Sequence, residues 1–138
     1  MPLFTPKREF GVQSFILKVV NNACPGLEAL IEGPRSEGRV QLVLVVMVIP
    51  VENRQLCVDE AFTAITKEFS TKGLAIVLNQ PVGLEEVILG FRSESGMTFV
   101  RAKAKHLNPM GGGFFQLGLQ MTEIVSPGDY PQLQEMRL

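Results

Sequence analysis

The chain of 138 residues has no Trp, one Tyr, one His (His106), two Cys (Cys24 and Cys57) and two Asp (Asp59 and Asp129). Each scarcity removes a chemistry. A zinc site draws three or four Cys, His or carboxylate ligands at short spacing, and no such cluster occurs, so no metal is expected. A Ser-His-Asp or Cys-His constellation would depend on His106, and no motif surrounds any nucleophile, so no catalytic residue is assigned and the chain does not read as an enzyme. His106 ends a run of alternating residues and reads as a surface imidazole at a strand end. The two Cys read as small, partly buried thiols, although their number also allows one disulfide.

Charge of one sign is missing as well. Thirteen Lys and Arg against fourteen Asp and Glu leave a formal net charge of −1. A dedicated DNA or RNA binder shows a basic excess or stripe, and a charge-held membrane protein a basic cluster, so neither partner is expected. The first residues, Met1-Pro2-Leu3-Phe4-Thr5-Pro6-Lys7-Arg8, lack the apolar core of a signal peptide. The longest apolar run, Val40 to Val51, contains Gln41 and Pro50 and is too short to span a bilayer as a helix. A cytoplasmic protein is expected.

What is present suffices for one core. Hydrophobic residues make up 46% and charged residues 20%, and a chain of this size folds without a staple. The pattern divides near Gly33-Pro34. Val12 to Val20 is apolar at nearly every position. Pro25 then opens a short helical pattern through Glu32, with Leu27, Leu30 and Ile31 on one face and Gly33 as its stop. Residues 12–32 read as one broken helix or two short ones, and a strand over 12–20 stays open. The apolar face calls for the following domain or a partner chain, which leaves a homodimer through this segment open.

From Val40 the period becomes two. Strands are expected at Val40 to Ile49, Ala61 to Phe69, Leu74 to Leu78, around Val87, Leu89 and Phe91, then around Val100, Ala102 and Ala104, and at Phe115 to Met121. Turns fall at Pro81-Val82-Gly83, at Glu94-Ser95-Gly96 and at a Gly-rich hairpin loop, Asn108 to Gly113. Arg101, Lys103 and Lys105 share the face opposite Val100, Ala102 and Ala104, which reads as a solvated outer face, or as added charge for a ligand site that adjoins it. Beyond Ser126-Pro127-Gly128, Asp129 is a candidate cap for a short terminal helix with Pro131 in its first turn. The fold class is mainly β, a six-stranded antiparallel barrel. The division is a helical N-terminal extension (1–33), the barrel (34–124) and a C-terminal tail or short helix (125–138).

Two motifs sit at strand boundaries. Arg35-Ser36-Glu37-Gly38-Arg39 is an RxxxR just before the first strand. Glu68-Phe69-Ser70-Thr71-Lys72-Gly73 joins the second and third strands. A closing strand follows with Phe114-Phe115-Gln116-Leu117-Gly118-Leu119. In these three features the chain resembles the PilZ family of cyclic di-GMP receptors, over about residues 34–124. The family pattern is RxxxR, then [D/N]xSxxG, then a strand in which an aromatic precedes a Gly-Leu pair. This chain departs from it at Glu68, one methylene longer than Asp.

The resemblance implies a PilZ-like barrel and a ligand site made of Arg35, Arg39, Glu68, Ser70 and Gly73, with cyclic di-GMP as ligand and no further cofactor. The chemistry suits that ligand. Two guanidinium groups can clamp phosphate and the guanine O6/N7 edge through paired hydrogen bonds. A carboxylate accepts from the guanine N1–H and N2–H₂ donors. Ser70 adds a hydroxyl, and Gly73 permits a tight turn and close backbone approach. Gly33, Gly38 and the high polarity of residues 32–39 lead to the expectation that the ligand orders the Arg35–Arg39 segment and so signals to a downstream protein. The alternative is a PilZ-like interaction module that has lost its ligand because Glu68 replaces Asp or Asn.

Overall fold

The computed structural model describes Val12, residues 40–70, 72–93 and 96–136, and Leu138. The expected helices of residues 1–33, Arg35, Arg39, Cys24 and most of the Glu94-Ser95-Gly96 turn lie outside the described residues. Eight strands follow in chain order: β1 (Val40–Gln41), β2 (Val45–Glu52), β3 (Gln55–Leu56), β4 (Phe62–Phe69), β5 (Gly73–Leu78), β6 (Glu86–Ser93), β7 (Gly96–Gly111) and β8 (Phe114–Val125). They pair antiparallel in the order β4-β5-β8-β7-β6-β2, and a further β2–β4 pairing closes the ring into a six-stranded barrel. The two-residue strands β1 and β3 are appended to β4 and β2. This is the mainly β barrel that the PilZ resemblance implies.

The expected first strand is divided. Val40–Gln41 pairs with Phe69 and Glu68, and β2 pairs with the other half of β4 from Val45. Leu42, Val43 and Leu44 bridge the two pieces. The cause is Thr66, the buried polar residue among those described, 1% exposed. Its hydroxyl donates to the Leu42 carbonyl at 2.6 Å and accepts the Leu44 amide at 2.8 Å. A side chain thus satisfies backbone groups that the ladder has left unpaired.

The run Val46 to Val51 is apolar without alternation because both of its faces are covered. Val46 and Val48 point into the barrel, where they join Leu89, Val100, Ile76, Leu117 and Leu119. Met47, Ile49 and Val51 point outward and meet Ile88, Phe99, Val125 and Leu133 in a second apolar cluster. That cluster is sealed by the segment after β8, which forms short 3-10 helices at Pro127–Asp129 and Pro131–Glu135. Pro131 does sit in a first turn, but Asp129 is not its cap. Tyr130 takes that position with no side-chain cap bond. Val12 is helical and 2% exposed, and it packs into the barrel core.

Two local features depart from the alternation pattern. β2 and β3 are joined by Asn53-Arg54, both with positive φ (53° and 66°), as a two-residue hairpin turn of the primed type requires. β7 runs on through Asn108, Pro109 and Met110, so the expected six-residue loop shrinks to Gly112-Gly113, with φ of 65° and 87°. His106 is accordingly a mid-strand residue and not a strand end.

Arg101 is not part of a solvated basic face. Its guanidinium donates to Glu86 at 2.8 Å, to Glu123 at 3.0 Å and to the Tyr130 hydroxyl. Burial alone would weaken its charge, but the bonds to Glu86, Tyr130 and Glu123 outweigh it and raise its pKa. Arg101 therefore stays charged, and through Tyr130 it fastens the C-terminal segment to the barrel.

Candidate functional site

The opposite wall of the barrel is built from β4, β5, β8 and the far half of β7. Its outward residues fall in one cross-strand row, because Glu68 pairs with Ala75, Ala75 with Gly118, and Gly118 with His106. Two small residues thus form a floor between a carboxylate and an imidazole. Ser70, Lys105 and Gln116 complete an open groove of about 170 Å³ over that floor.

Two β-bulges aim its ends. Strict alternation after Ala64 and Thr66 would send Glu68 into the core. The β4–β5 register shifts between Thr66 and Glu68, so Lys67 is the extra residue, Glu68 turns outward and Phe69 takes the buried position. Alternation after Ala102 and Ala104 would likewise send His106 inward. A shift between Ala104 and His106 makes Lys105 extra and turns the imidazole out, while Leu107 pairs with Leu117 on the inner side. Bulges re-aim side chains in this way, often beside binding sites.

The remaining lining is held by specific bonds. Lys67 donates from Nζ to the Gln116 amide oxygen at 3.0 Å, which leaves the amide N–H₂ group available as a donor. Ser70 Oγ accepts the Gly73 amide at 3.3 Å, and the Ser70 amide bonds the Gly73 carbonyl at 2.9 Å, closing the turn. Gly73 lies just outside the groove lining. A Cβ there would stand 2.0 Å from the Leu119 carbonyl oxygen, so glycine is what lets β5 approach β8. Glu68 and Ser70 are brought together on the groove. Arg35 and Arg39 lie outside the described residues, yet Val40, bonded directly to Arg39, pairs with Phe69 between Glu68 and Ser70.

Lys105, His106 and Ala75 are groove residues that the motifs do not contain, while Gln116 and Gly118 come from the closing-strand feature. The signal for His106 and Glu68 is the failure of alternation where an apolar residue resumes the inner face, at Leu107 and Phe69. Chemically, the groove offers an acceptor at one end, a cation and an imidazole at the other, and a flat floor. Among the described residues no group of three or more His, Cys, Asp or Glu could hold a metal ion. No helix among them is long and apolar enough to cross a membrane.

No family model and no curated protein matches the chain. It is similar to the solved structure of the Bacillus subtilis inhibitor of motility MotI/DgrA, at 20% identity and a TM-score of 0.49 over 74% of this chain and 48% of that one. It is also similar to K. pneumonia MrkH, at 14% identity and a TM-score of 0.45 in the apo state, over 75% of this chain and 48% of that one. For the MrkH–c-di-GMP complex the figures are 13% identity and 0.45, over 75% and 49% of the two chains. The chain spans about half the length of these structures.

Proposed function

We propose that this chain is a receptor for cyclic di-GMP that signals to a partner protein through ordering of its RxxxR segment. The observation that carries the reading is the groove that two residues of the second motif line. Glu68 and Ser70 line it, and Arg39 is one covalent bond from the strand that pairs beside them. In this reading Arg35 and Arg39 grip phosphate and guanine edge, Glu68 accepts from guanine N–H groups, and Ser70 adds a hydroxyl. Gly73 serves by keeping the turn close to β8. Ala75 keeps the floor low between Glu68 and the His106 ring that lies over Gly118.

Isothermal titration of the whole chain with cyclic di-GMP tests the reading. Saturable binding is expected, lost in the double variant Arg35→Ala/Arg39→Ala. Absence of heat at tens of micromolar ligand contradicts it.

A second reading is favoured by one observation. Glu68 stands where the PilZ pattern has Asp or Asn, and an extra methylene shifts a bidentate contact by about a bond length. Val43, Val45 and Ile65 are also exposed on the outer face of the β2–β4 seam, with Val45 and Ile65 directly paired. Together they suit an interaction module without ligand. Glu68→Asp discriminates the two, since binding created by that substitution marks a lost site.

A further inference from the structure

We infer that His106 contacts the ligand at the far end of the groove and makes nucleotide binding tighten as pH falls; this deepens the receptor reading above and rests on it. The imidazole does not simply stand on an outer strand. It lies across Gly118, where a Cβ would come within 3.0 Å of its Nε2 and 3.1 Å of its Cδ2. The missing side chain at 118 therefore lets the ring settle onto the floor of the groove. The β-bulge at Lys105 supplies the orientation, and the cross-strand row sets the ring at the end opposite Glu68.

The surrounding charges favour an anion at this end. Lys105 is its neighbour on β7 and shares the groove lining. From β8 come the neutral Gln116, Gly118 and Leu119, and from β5 the apolar Leu74 and Ala75. Lys67 on β4 is bonded to Gln116, and Glu68 closes the opposite end. Glu85, just before β6, accepts the Ala104 amide through its backbone carbonyl. A guanine edge suits Glu68, so a phosphate of the same ligand falls toward Lys105 and His106. Neutral imidazole offers that phosphate one N–H donor. Imidazolium offers two donors and a charge, in the range of pH where histidine changes state and the phosphodiesters do not.

The test is titration of the whole chain with cyclic di-GMP at about pH 6 and about pH 8 at matched ionic strength, with melting curves at each pH. Wild type is expected to bind about tenfold more tightly at the lower pH, as a charge-assisted bond implies. His106→Gln binds weakly at both, and His106→Lys binds tightly at both. The site is exposed, so all three proteins melt alike. Equal wild-type affinities at the two pH values, or pH dependence that persists in His106→Gln, overturns the role of His106 and leaves the receptor reading standing. No wild-type binding at either pH overturns the receptor reading, and this inference with it.

Discussion

The two walls of the barrel share one sheet and are finished in opposite ways. The β2–β6–β7 wall is covered on both faces, by the barrel core inside and by the C-terminal segment outside, and its charged group, Arg101, is consumed by Glu86, Glu123 and Tyr130. Among the described residues, the β4–β5–β8 wall is covered on the inside only. Its outer row is small at the centre and polar at the ends, and its cations Lys105 and Lys67 reach outward or hold an amide. Saturated polar groups and apolar cover make the first wall a stabilising one. On the second, a row of small residues between polar side chains is where the proposed ligand would sit. A short chain can carry both because each strand has two faces and the closed barrel needs only one of them.

Substitutions sharpen the contrast, beginning with the sealed wall. Phe99→Ala removes a ring that is 1% exposed within the outer cluster, and it should cost about 3–5 kcal/mol in chemical denaturation. Gly73→Ala should approach that loss, at about 3 kcal/mol, because its methyl meets the Leu119 backbone rather than a movable side chain. It would be the most costly change at the edge of the open wall, and a variant as stable as wild type would show that β5 and β8 are not so closely apposed. Thr66→Val keeps the shape and strips the Leu42 and Leu44 backbone groups of their partner, for about 1–3 kcal/mol. Arg101→Gln loses two part-exposed ion pairs and the tie to Tyr130, for about 1–2 kcal/mol once solvent screening is allowed for. Its signature is faster amide exchange in residues 127–136 with the groove unaffected. At the open wall, Glu68→Gln should leave the melting temperature almost unchanged while weakening nucleotide affinity, and a large loss of stability with intact binding would invert the comparison. The smallest effect concerns Cys57. Partial burial and the nearby Glu52 and Glu60 carboxylates push its thiol pKa up, so in a Cys24→Ser background it should alkylate more slowly at pH about 8 than in the denatured chain.

Strand existence was legible in the period-two pattern because burial of one face imposes it. β5, β6 and β8 follow the expected segments closely. The uninterrupted run at Val46 to Val51 identified a strand but could not reveal the second apolar cluster, since the cover comes from Leu133 and Tyr130, far along the chain. The Asn53-Arg54 turn escaped notice because Arg, in place of the usual Gly, takes the second left-handed position. The break after Gln41 depends on one hydroxyl across the sheet, Thr66, which no local pattern announces. Of the candidate site, Glu68, Ser70 and Gly73 were legible through motif order. His106 reads as a surface imidazole, but no local pattern marks it for the groove, and the bulge at Lys105 is what turns it there.

The central claim is that the open wall and not the sealed one takes a nucleotide. Backbone amide NMR of the full chain during titration with cyclic di-GMP tests it most directly. The account predicts saturable shifts at Glu68, Ser70, Ala75, Lys105, His106 and Gly118, with Ile49, Ile88, Tyr130 and Leu133 unmoved. Shifts centred on the Arg101–Tyr130 side, or none anywhere at saturating ligand, would contradict it.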